Sequence, residues 1–368
     1  MERIDMSPTN KTEVFDDPSL HAISESYGIP GLQYVTSPEA GIITDNAVLK
    51  DERGHSYFAK LYKDGNVENH ASSYRAAEAL VDSGIPVLLP IRLIDKSYTA
   101  HIQGRSLALF PYIEHRTSPP KDDSEVLHLT ASMGENLGRM HAVNVPTEDG
   151  SIEPIQRWSP EAKEQRHARL RKIVEHIETL PDRNSFDELA MEAATTRLDL
   201  LSRIESTHLT QSPLRICHGD FHGHNVLYDQ SMDVVAICDW DNAGLANPWV
   251  DFFNTFMMQV VANRLDTLAT EGKEVATAFI SSYIKGLNLT GDINKEELKA
   301  GFDTLMQERI GTSWPMYQHY FDNNHRNDDR LEKTYRRSIA YAENYDRIWH
   351  FVQDTLDDIS LKLSSSGS

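Results

Sequence analysis

Residues 217–251, CHGDFHGHNVLYDQSMDVVAICDWDNAGLANPWVD, contain the densest group of candidate functional side chains in the sequence. The pattern H-G-D-x-x-x-x-N places Asp220 five residues before Asn225, and Asp239 follows fourteen residues after Asn225. Between the last two, the apolar runs NVLY and VVAIC flank the polar turn DQSMD, which is typical of a β-hairpin. We expect this hairpin to bring Asn225 and Asp239 back towards Asp220.

These three residue types suit phosphoryl transfer. A carboxylate can accept the proton of a hydroxyl group, while an amide oxygen and a second carboxylate can hold Mg²⁺. Aspartates also commonly cap turns, but that role alone does not explain their spacing around Asn225. A zinc cluster of His218, His222 and His224 is the other alternative, although no H-E-x-x-H pattern accompanies it.

The sequence on either side of this segment predicts two differently built regions. Residues 31–63 alternate apolar and polar positions between turn signals, so they predict an antiparallel meander, and residues 68–82 favour a helix. A second hairpin follows and ends near Glu114. From residue 123 a period of 3.6 residues predicts helices over 126–142, 160–180 and 185–204, and several more over 248–363. We therefore predict an α+β protein with an N-terminal lobe (1–114), a helical C-terminal lobe (115–363) and a disordered tail (364–368).

Four segments in the same order resemble the aminoglycoside phosphotransferase and choline kinase-like family. ITDNAVLKDERGHSYFAKLY resembles the family's nucleotide-binding meander with its strand lysine, and GENLGRMHA resembles its G-x-x-L-x-x-x-H-A helix. The H-G-D-x-x-x-x-N and D-W-D motifs follow, and AGLANPWVDF resembles the A-G-x-x-x-P-x-x-D segment. The resemblance covers residues 40 to 260 and implies a bilobal, protein-kinase-like fold.

The resemblance also implies a role for each matching residue. Asp220 would be the catalytic base, Asn225 and Asp239 would ligate Mg²⁺, and Lys60 would hold the α- and β-phosphates of ATP. His218 and Asp251 would be structural supports, and Asp241 a further acidic group near the metal or the substrate. The adenine would bond to backbone groups of the strand that leads between the lobes, at Phe110, Pro111, Tyr112 and Ile113.

One departure concerns the partner of Lys60. Members of the family usually carry a glutamate on the helix after the lysine strand, but Ser73 occupies the corresponding position. Either Glu68 or Glu78 supplies the carboxylate, or the pair is absent. Glu78 is preferred because it lies in the middle of the predicted helix, although a solvated helix-face charge would look the same.

Composition limits the class of partner. The chain has 368 residues, of which 39% are apolar, and its 36 basic and 56 acidic side chains give a net charge of −20. This charge is a poor match for nucleic acid or an anionic membrane, and it favours a cationic or neutral small molecule. The acids Asp322, Asp328, Asp329 and Glu332 in the C-terminal region would suit a polycationic amino-sugar. Two cysteines, no signal-peptide pattern and no long apolar run predict a cytoplasmic protein with free thiols, as a monomer or dimer.

The sequence thus predicts an ATP- and Mg²⁺-dependent phosphotransferase acting on a hydroxyl group of a small molecule. The acceptor could be an aminoglycoside-type compound or a metabolite of the choline or homoserine type. A protein Ser/Thr kinase of the same fold and a non-catalytic nucleotide-binding module are the competing hypotheses.

Overall fold

The computed structural model describes residues 14–38, 44–63, 67–144, 150–204, 213–262, 264–288 and 293–366. The α-helices in these residues are α1 (Asp17–Tyr27), α2 (Val67–Glu78), α3 (Asp123–Ala142), α4 (Ala162–Glu178), α5 (Ser185–Ser202), α6 (Pro248–Phe256), α7 (Glu271–Leu287), α8 (Lys295–Ile310), α9 (Trp314–Phe321), α10 (Arg330–Glu343) and α11 (Tyr345–Ser366). The strands are β1 (Gln33–Thr36), β2 (Thr44–Lys50), β3 (Ser56–Tyr62), β4 (Ala100–Ile102), β5 (Arg105–Pro111), β6 (Arg215–Cys217), β7 (Val226–Tyr228), β8 (Val234–Ile237) and β9 (Gly244–Ala246).

An antiparallel sheet of five strands forms the N-terminal region, in the order β1-β2-β3-β5-β4. In its register, Lys60 on the central strand β3 lies opposite Asn46 on β2 and Ala108 on β5. The remaining strands form two small antiparallel pairs, β6 with β9 and β7 with β8. Of these, only β7 and β8 are consecutive strands that form a hairpin. Helices dominate the sequence after β5, so the predicted α+β class is confirmed.

By contacts, the chain divides into two compact units. The first extends to Pro119 and also takes in 224–243 and the described part of 147–152, while the second contains 120–146, 153–223 and 244 onwards. Backbone hydrogen bonds explain why the β7–β8 hairpin groups with the first unit: Leu88 N donates to Ile237 O at 2.8 Å, and Arg116 N donates to Tyr228 O at 2.9 Å. The predicted contiguous division after residue 114 therefore stays a prediction.

Helix α1 packs on the sheet of the first unit. Its side chains Leu20, Ile23 and Tyr27 are buried in one cluster with strand residues such as Leu49 and Leu61. Asp16 caps the helix by accepting a hydrogen bond from Ser19 N at 2.9 Å, and Gly28 ends it with a φ of 65°. Burial of each leucine or isoleucine side chain stabilises the fold by about 1.5 to 3 kcal/mol. The cluster therefore stabilises one face of the sheet, and Lys60 lies on β3 of the same sheet.

In the second unit, α3 and α7 approach each other through glycines. A Cβ atom at Gly134 would lie 2.4 Å from the carbonyl oxygen of Phe279, and one at Gly286 would lie 2.2 Å from that of Glu135. Such distances leave no room for any side chain, so the backbones of the two helices are in direct contact.

The predicted helices of the C-terminal region occur with small changes at their ends. The prediction over 126–142 corresponds to α3, which begins earlier because Asp122 caps it by accepting from Glu125 N at 3.0 Å. The tail expected from 364 onwards begins within α11, which extends to Ser366, and residues 367–368 lie outside the described residues. Among the helices that the structure describes, none combines the length and apolar character needed to cross a membrane.

Candidate active site

Lys60 is the centre of a buried charge cluster in the first unit. The residue is 8% exposed, and its Nζ donates to Asp239 Oδ1 and to Asp241 Oδ2, each at 2.6 Å. Burial by itself would lower the pKa of the lysine, but the charges and hydrogen bonds of the two carboxylates raise it. Lys60 is therefore held as an ammonium group that pairs with both carboxyl groups.

Asp241 is itself held in place by neighbours from β3 and α2. Tyr62 Oη donates to Asp241 Oδ1 at 2.8 Å and lies 2.5 Å from Tyr74 Oη. Ser73 Oγ donates to the carbonyl oxygen of Asp241 at 3.1 Å. Ser73, which stands where a glutamate was expected, thus binds the backbone of the residue whose carboxylate pairs with Lys60.

This arrangement corrects the preference for Glu78 as the partner of Lys60. Glu78 lies at the C-terminal end of α2 and accepts from Arg92 Nη2 at 2.7 and 2.6 Å and from Tyr98 Oη at 2.8 Å. Its carboxylate is therefore engaged by a cation other than Lys60. The side chain of Glu68 lies outside the described residues. Among the described residues, Lys60 pairs instead with the two aspartates of the D-W-D motif.

The β7–β8 hairpin places Asn225 and Asp239 at its open end. Cys238 N donates to Asn225 O at 2.9 Å, so the backbones of Asn225 and of the residue before Asp239 lie side by side. Asp239 has a φ of 63°, a left-handed conformation that is uncommon for residues other than glycine and that recurs at functional sites. An amide oxygen and a carboxylate are the hard oxygen donors that Mg²⁺ prefers.

The end of β5 carries the residues expected to bind adenine. Phe110 is buried and Tyr112 is 42% exposed. Tyr112 N donates to Ser56 O at 3.1 Å, whereas Leu109 O accepts from Ile91 N at 2.7 Å on the opposite edge of the strand. Because backbone groups alternate along a strand, the carbonyl of Pro111, the last residue of β5, points to the same edge as Leu109 O. Ile113 follows two residues after the end of the strand.

In the second unit, the H-G-D loop follows β6 and is fixed by the buried carboxylate of Asp251. His218 N donates to Asp251 Oδ2 at 2.8 Å, and Gly219 N donates to Asp251 Oδ1 at 3.1 Å. Gly219 has a φ of 82°, which a side chain would strain. Asp251 thus fixes the two residues that precede Asp220.

The carbonyl of Gly219 is held by side chains that sequence reasoning missed. It accepts from the guanidinium of Arg157 and from Asn254 Nδ2 at 3.2 Å, and Arg309 in turn donates to Asn254 Oδ1. Asn254 follows Asp251 by three residues on α6, so helical spacing could have identified it. Arg157 lies in a short 3₁₀ turn without a recognisable motif.

Asp220 is presented from this loop with its side chain 40% exposed. Burial would raise its pKa, but a hydrogen bond from His222 and the positive charges of His222, His218 and Arg157 give a net lowering below the usual value of 3.8. The distance from His222 Nε2 to Asp220 Oδ2 is 3.4 Å. The carboxylate is therefore ionised at neutral pH, the state that a proton acceptor requires.

Comparison with solved structures shows the same fold in several phosphotransferases. A spectinomycin phosphotransferase in complex with ADP and spectinomycin is 19% identical, with a TM-score of 0.58 over 87% of this chain and 92% of the other. An amicoumacin kinase with AMP-PNP and Ca²⁺ is 15% identical, with a TM-score of 0.57 over 90% of this chain and 96% of the other. The APH(2″)-IIa protein, in a complex with gentamicin, is 15% identical, with a TM-score of 0.54 over 89% of this chain and 98% of the other.

These similarities confirm the predicted kinase-like fold. A search of curated proteins found no significant match. The family model described as the phosphotransferase enzyme family (APH) matches residues 35–279. That range includes strand β3 with Lys60, the H-G-D loop, the β7–β8 hairpin and the segment that contains Asp251. The chain belongs to the APH phosphotransferase enzyme family.

Proposed function

We propose that this protein transfers a phosphoryl group from ATP to a hydroxyl group of a small molecule, with Mg²⁺ as the cofactor. The observation that carries the proposal is the ionised Asp220 on a loop in which the two preceding residues are fixed by buried side chains. Membership of the phosphotransferase family supports the same chemistry. ADP and AMP-PNP in complexes of proteins with the same fold support the use of an adenine nucleotide.

Asp220 acts as the general base. Its carboxylate accepts the proton of the acceptor hydroxyl, so that the oxygen attacks as a better nucleophile. The hydrogen bonds from His218 N and Gly219 N to Asp251, and from Asn254 Nδ2 to Gly219 O, fix the backbone that carries this carboxylate. Preorganisation of this kind removes part of the entropic cost of bringing base and hydroxyl together.

Lys60, Asn225 and Asp239 hold the nucleotide. The ammonium of Lys60 binds phosphate oxygens, and the oxygens of Asn225 and Asp239 ligate the metal ion. Mg²⁺ bound with ATP supplies neutralisation of the negative charge on the phosphoryl group. Asp241 keeps Lys60 oriented when Asp239 turns to the metal, because Tyr62 and Ser73 fix it independently.

The edge of β5 that faces away from β3, beyond its pairing with β4, would bind the adenine ring. The carbonyl of Pro111 would be available as an acceptor and the N–H of Ile113 as a donor for the polar edge of the ring. Phe110 and Tyr112 alternate with Pro111 and Ile113, and the N–H of Tyr112 points to the opposite edge, towards Ser56 on β3. This end of β5 is therefore the proposed binding site for the adenine ring of ATP.

The charge of the acceptor is less restricted than the sequence suggested. Two of the four acids expected to attract a cation are paired within the chain, Asp328 with His319 and Glu332 with Arg336. This observation weakens the case for a polycationic acceptor, so a second candidate is a metabolite kinase of the choline or homoserine type, whose acceptors carry one positive charge or no net charge. Both candidates use Asp220, Lys60, Asn225 and Asp239 in the same roles.

A coupled assay of ADP release tests the proposal across aminoglycosides, choline, homoserine and a generic protein substrate. We expect Mg²⁺-dependent turnover with one small-molecule class and none with Asp220→Asn. Turnover only with the protein would favour a Ser/Thr kinase. ADP binding without turnover on any acceptor, in the wild type and in Asp220→Asn alike, would favour the non-catalytic module.

A further inference from the structure

Three potential metal ligands converge in the second unit, at the junction of α9 and α10. His319 is in the last turn of α9, while His325 and Asp328 belong to the loop that leads to α10. His319 Nδ1 lies 2.9 Å from Asp328 Oδ2, His325 Nδ1 lies 3.0 Å from His319 Nδ1, and His325 Nδ1 lies 3.5 Å from Asp328 Oδ2. We call these residues the HHD cluster.

Hydrogen bonds within the triangle satisfy only part of it. If His319 Nδ1 carries a proton, that one hydrogen must serve both Asp328 Oδ2 at 2.9 Å and His325 Nδ1 at 3.0 Å. If His319 Nδ1 is bare, it can accept from His325, but its lone pair then faces a carboxylate oxygen at 2.9 Å. Either assignment leaves at least one of the three contacts without a hydrogen bond of its own.

A metal ion resolves all three contacts at once. Ligand atoms around a tetrahedral or octahedral ion with bonds of about 2.1 Å are separated by about 3.0 to 3.4 Å. The three observed separations fall around that range. In addition, Asp328 Oδ1 is a buried oxygen without a hydrogen-bond partner among the described residues, so its carboxylate is only half satisfied.

The cluster is supported by its surroundings, as a preformed site requires. The ring of Phe186 on α5 stacks on His319 with centroids 4.0 Å apart, which fixes the plane of the imidazole. The loop is tied back to α9 by Asn324 N donating to Gln318 O at 3.0 Å and by Asn327 Nδ2 donating to Gln318 Oε1 at 2.9 Å. These bonds hold His325 and Asp328 beside His319.

We propose that the HHD cluster binds a divalent transition-metal ion of the zinc or cobalt type. Two imidazole nitrogens and one carboxylate oxygen suit such borderline ions better than Mg²⁺, which prefers oxygen ligands. Three protein ligands leave at least one coordination position for water or another donor. The ion joins the end of α9 to the start of α10.

A second group of potential ligands, His141, Cys217 and Asp251, does not carry the same inference. Both oxygens of Asp251 already accept backbone N–H groups of the H-G-D loop. His141 Nδ1 lies 3.0 Å from Tyr283 Oη. These atoms have structural partners, but the sulfur of Cys217 makes the group a useful internal comparison, because a metal–thiolate bond would have its own absorption band.

Titration with Co²⁺ in a large excess of Mg²⁺ tests the proposal, because Mg²⁺ blocks the oxygen-ligand site of the nucleotide. We expect one Co²⁺ per chain, visible d–d absorption without a thiolate charge-transfer band, and a raised melting temperature. His319→Ala should abolish this binding, and His325→Ala should weaken it at least about tenfold. The matched control is His21→Ala, which removes an exposed histidine from α1.

His325 is 56% exposed, so its variant remains informative even if His319→Ala does not fold. Saturable binding that is lost in the cluster variants and retained in His21→Ala supports the site. Absence of Co²⁺ binding, or binding unchanged in both cluster variants, overturns the proposal. A thiolate band that disappears in Cys217→Ser also overturns it, because the ion would then occupy the other group.

Discussion

Lys60 and Asp220, the two charged residues most important to the proposed chemistry, are held in opposite ways. Lys60 is bound by side-chain carboxylates, one of which, Asp239, is also a proposed metal ligand. Asp220 is positioned through its backbone, because Asp251 binds the two preceding N–H groups and Asn254 binds the preceding carbonyl. The ammonium group of Lys60 can thus exchange a carboxylate for another anionic group, whereas the backbone of the H-G-D loop that carries Asp220 is fixed.

The difference matches what each residue has to do. A lysine that binds phosphates must release at least one carboxylate when ATP and metal arrive, and a charged side-chain contact allows this. A general base gains most from a fixed orientation, since misplacement of its oxygen reduces catalysis sharply. Substitutions at Lys60's partners should therefore change ligand binding, while substitutions at Asp220 should change the rate.

The largest effect is expected from Asp220→Asn. The change removes the proton acceptor while preserving shape, so kcat should fall by about 10² to 10⁴-fold with little change in the Kd of ATP. Steady-state assays and calorimetric nucleotide binding measure the two quantities. Asp182→Asn, at an exposed acid between α4 and α5, is the control for loss of one charge. A loss of ATP affinity as large as the loss of rate would contradict a purely catalytic role.

The next effect separates the two carboxylates that bind Lys60. Asp239→Asn should raise the Mg²⁺ concentration required for activity at least about tenfold, because a charged ligand is lost. Asp241→Asn should leave the Mg²⁺ requirement nearly unchanged and raise the KM of ATP, since losing a hydrogen bond to a charged group costs about 1.5 to 3 kcal/mol. Asp45→Asn, which removes a carboxylate from the same unit, is the control. Identical Mg²⁺ titrations for both variants would show that the two aspartates do not have separate roles.

Much of this arrangement could be predicted because the motifs are local. The spacing of Asp220, Asn225 and Asp239 identified the loop and hairpin, and alternation of apolar residues identified β3 with Lys60. The partner of Lys60 could not be predicted in the same way, because the choice between Glu78 and Asp241 depends on which side chains surround each carboxylate. Arg92 and Tyr98 take Glu78, whereas Tyr62 and Ser73 bring Asp241 to the lysine. Arg157 was missed because its contact joins distant parts of the sequence.

A smaller effect concerns the pH dependence of the base. Because the pKa of Asp220 lies below its ordinary value of 3.8, the carboxylate stays ionised as the pH falls to that value, and activity is lost only as the pH falls further through the lowered pKa. His222→Ala removes the hydrogen bond and the positive charge of His222, which lower this pKa, and should move the acid limb of kcat/KM to higher pH. His224→Ala is the neighbouring control. An unchanged acid limb would show that His222 does not set the ionisation of Asp220.

The smallest effect is expected at the two cysteines, which are both free thiols in the structure. Burial raises the pKa of Cys238 to about 12 and that of Cys217 well above its usual value, so neither forms a reactive thiolate at neutral pH. We expect slow alkylation in the native protein, two alkylated cysteines after unfolding without reductant, and no change in melting temperature with reductant. Mass spectrometry that detects a disulfide would contradict this prediction.

The glycine contact between α3 and α7 has a consequence for how this sequence can vary. Because Gly134 on α3 faces the backbone of Phe279 and Gly286 on α7 faces that of Glu135, neither helix can accept a larger residue at these positions without separation of the pair. The two helices must therefore be inherited together. A chimera that takes α3 from a relative with a bulkier residue at position 134 would need the matching α7 from the same parent, although Gly286 lies 152 positions after Gly134 in the sequence.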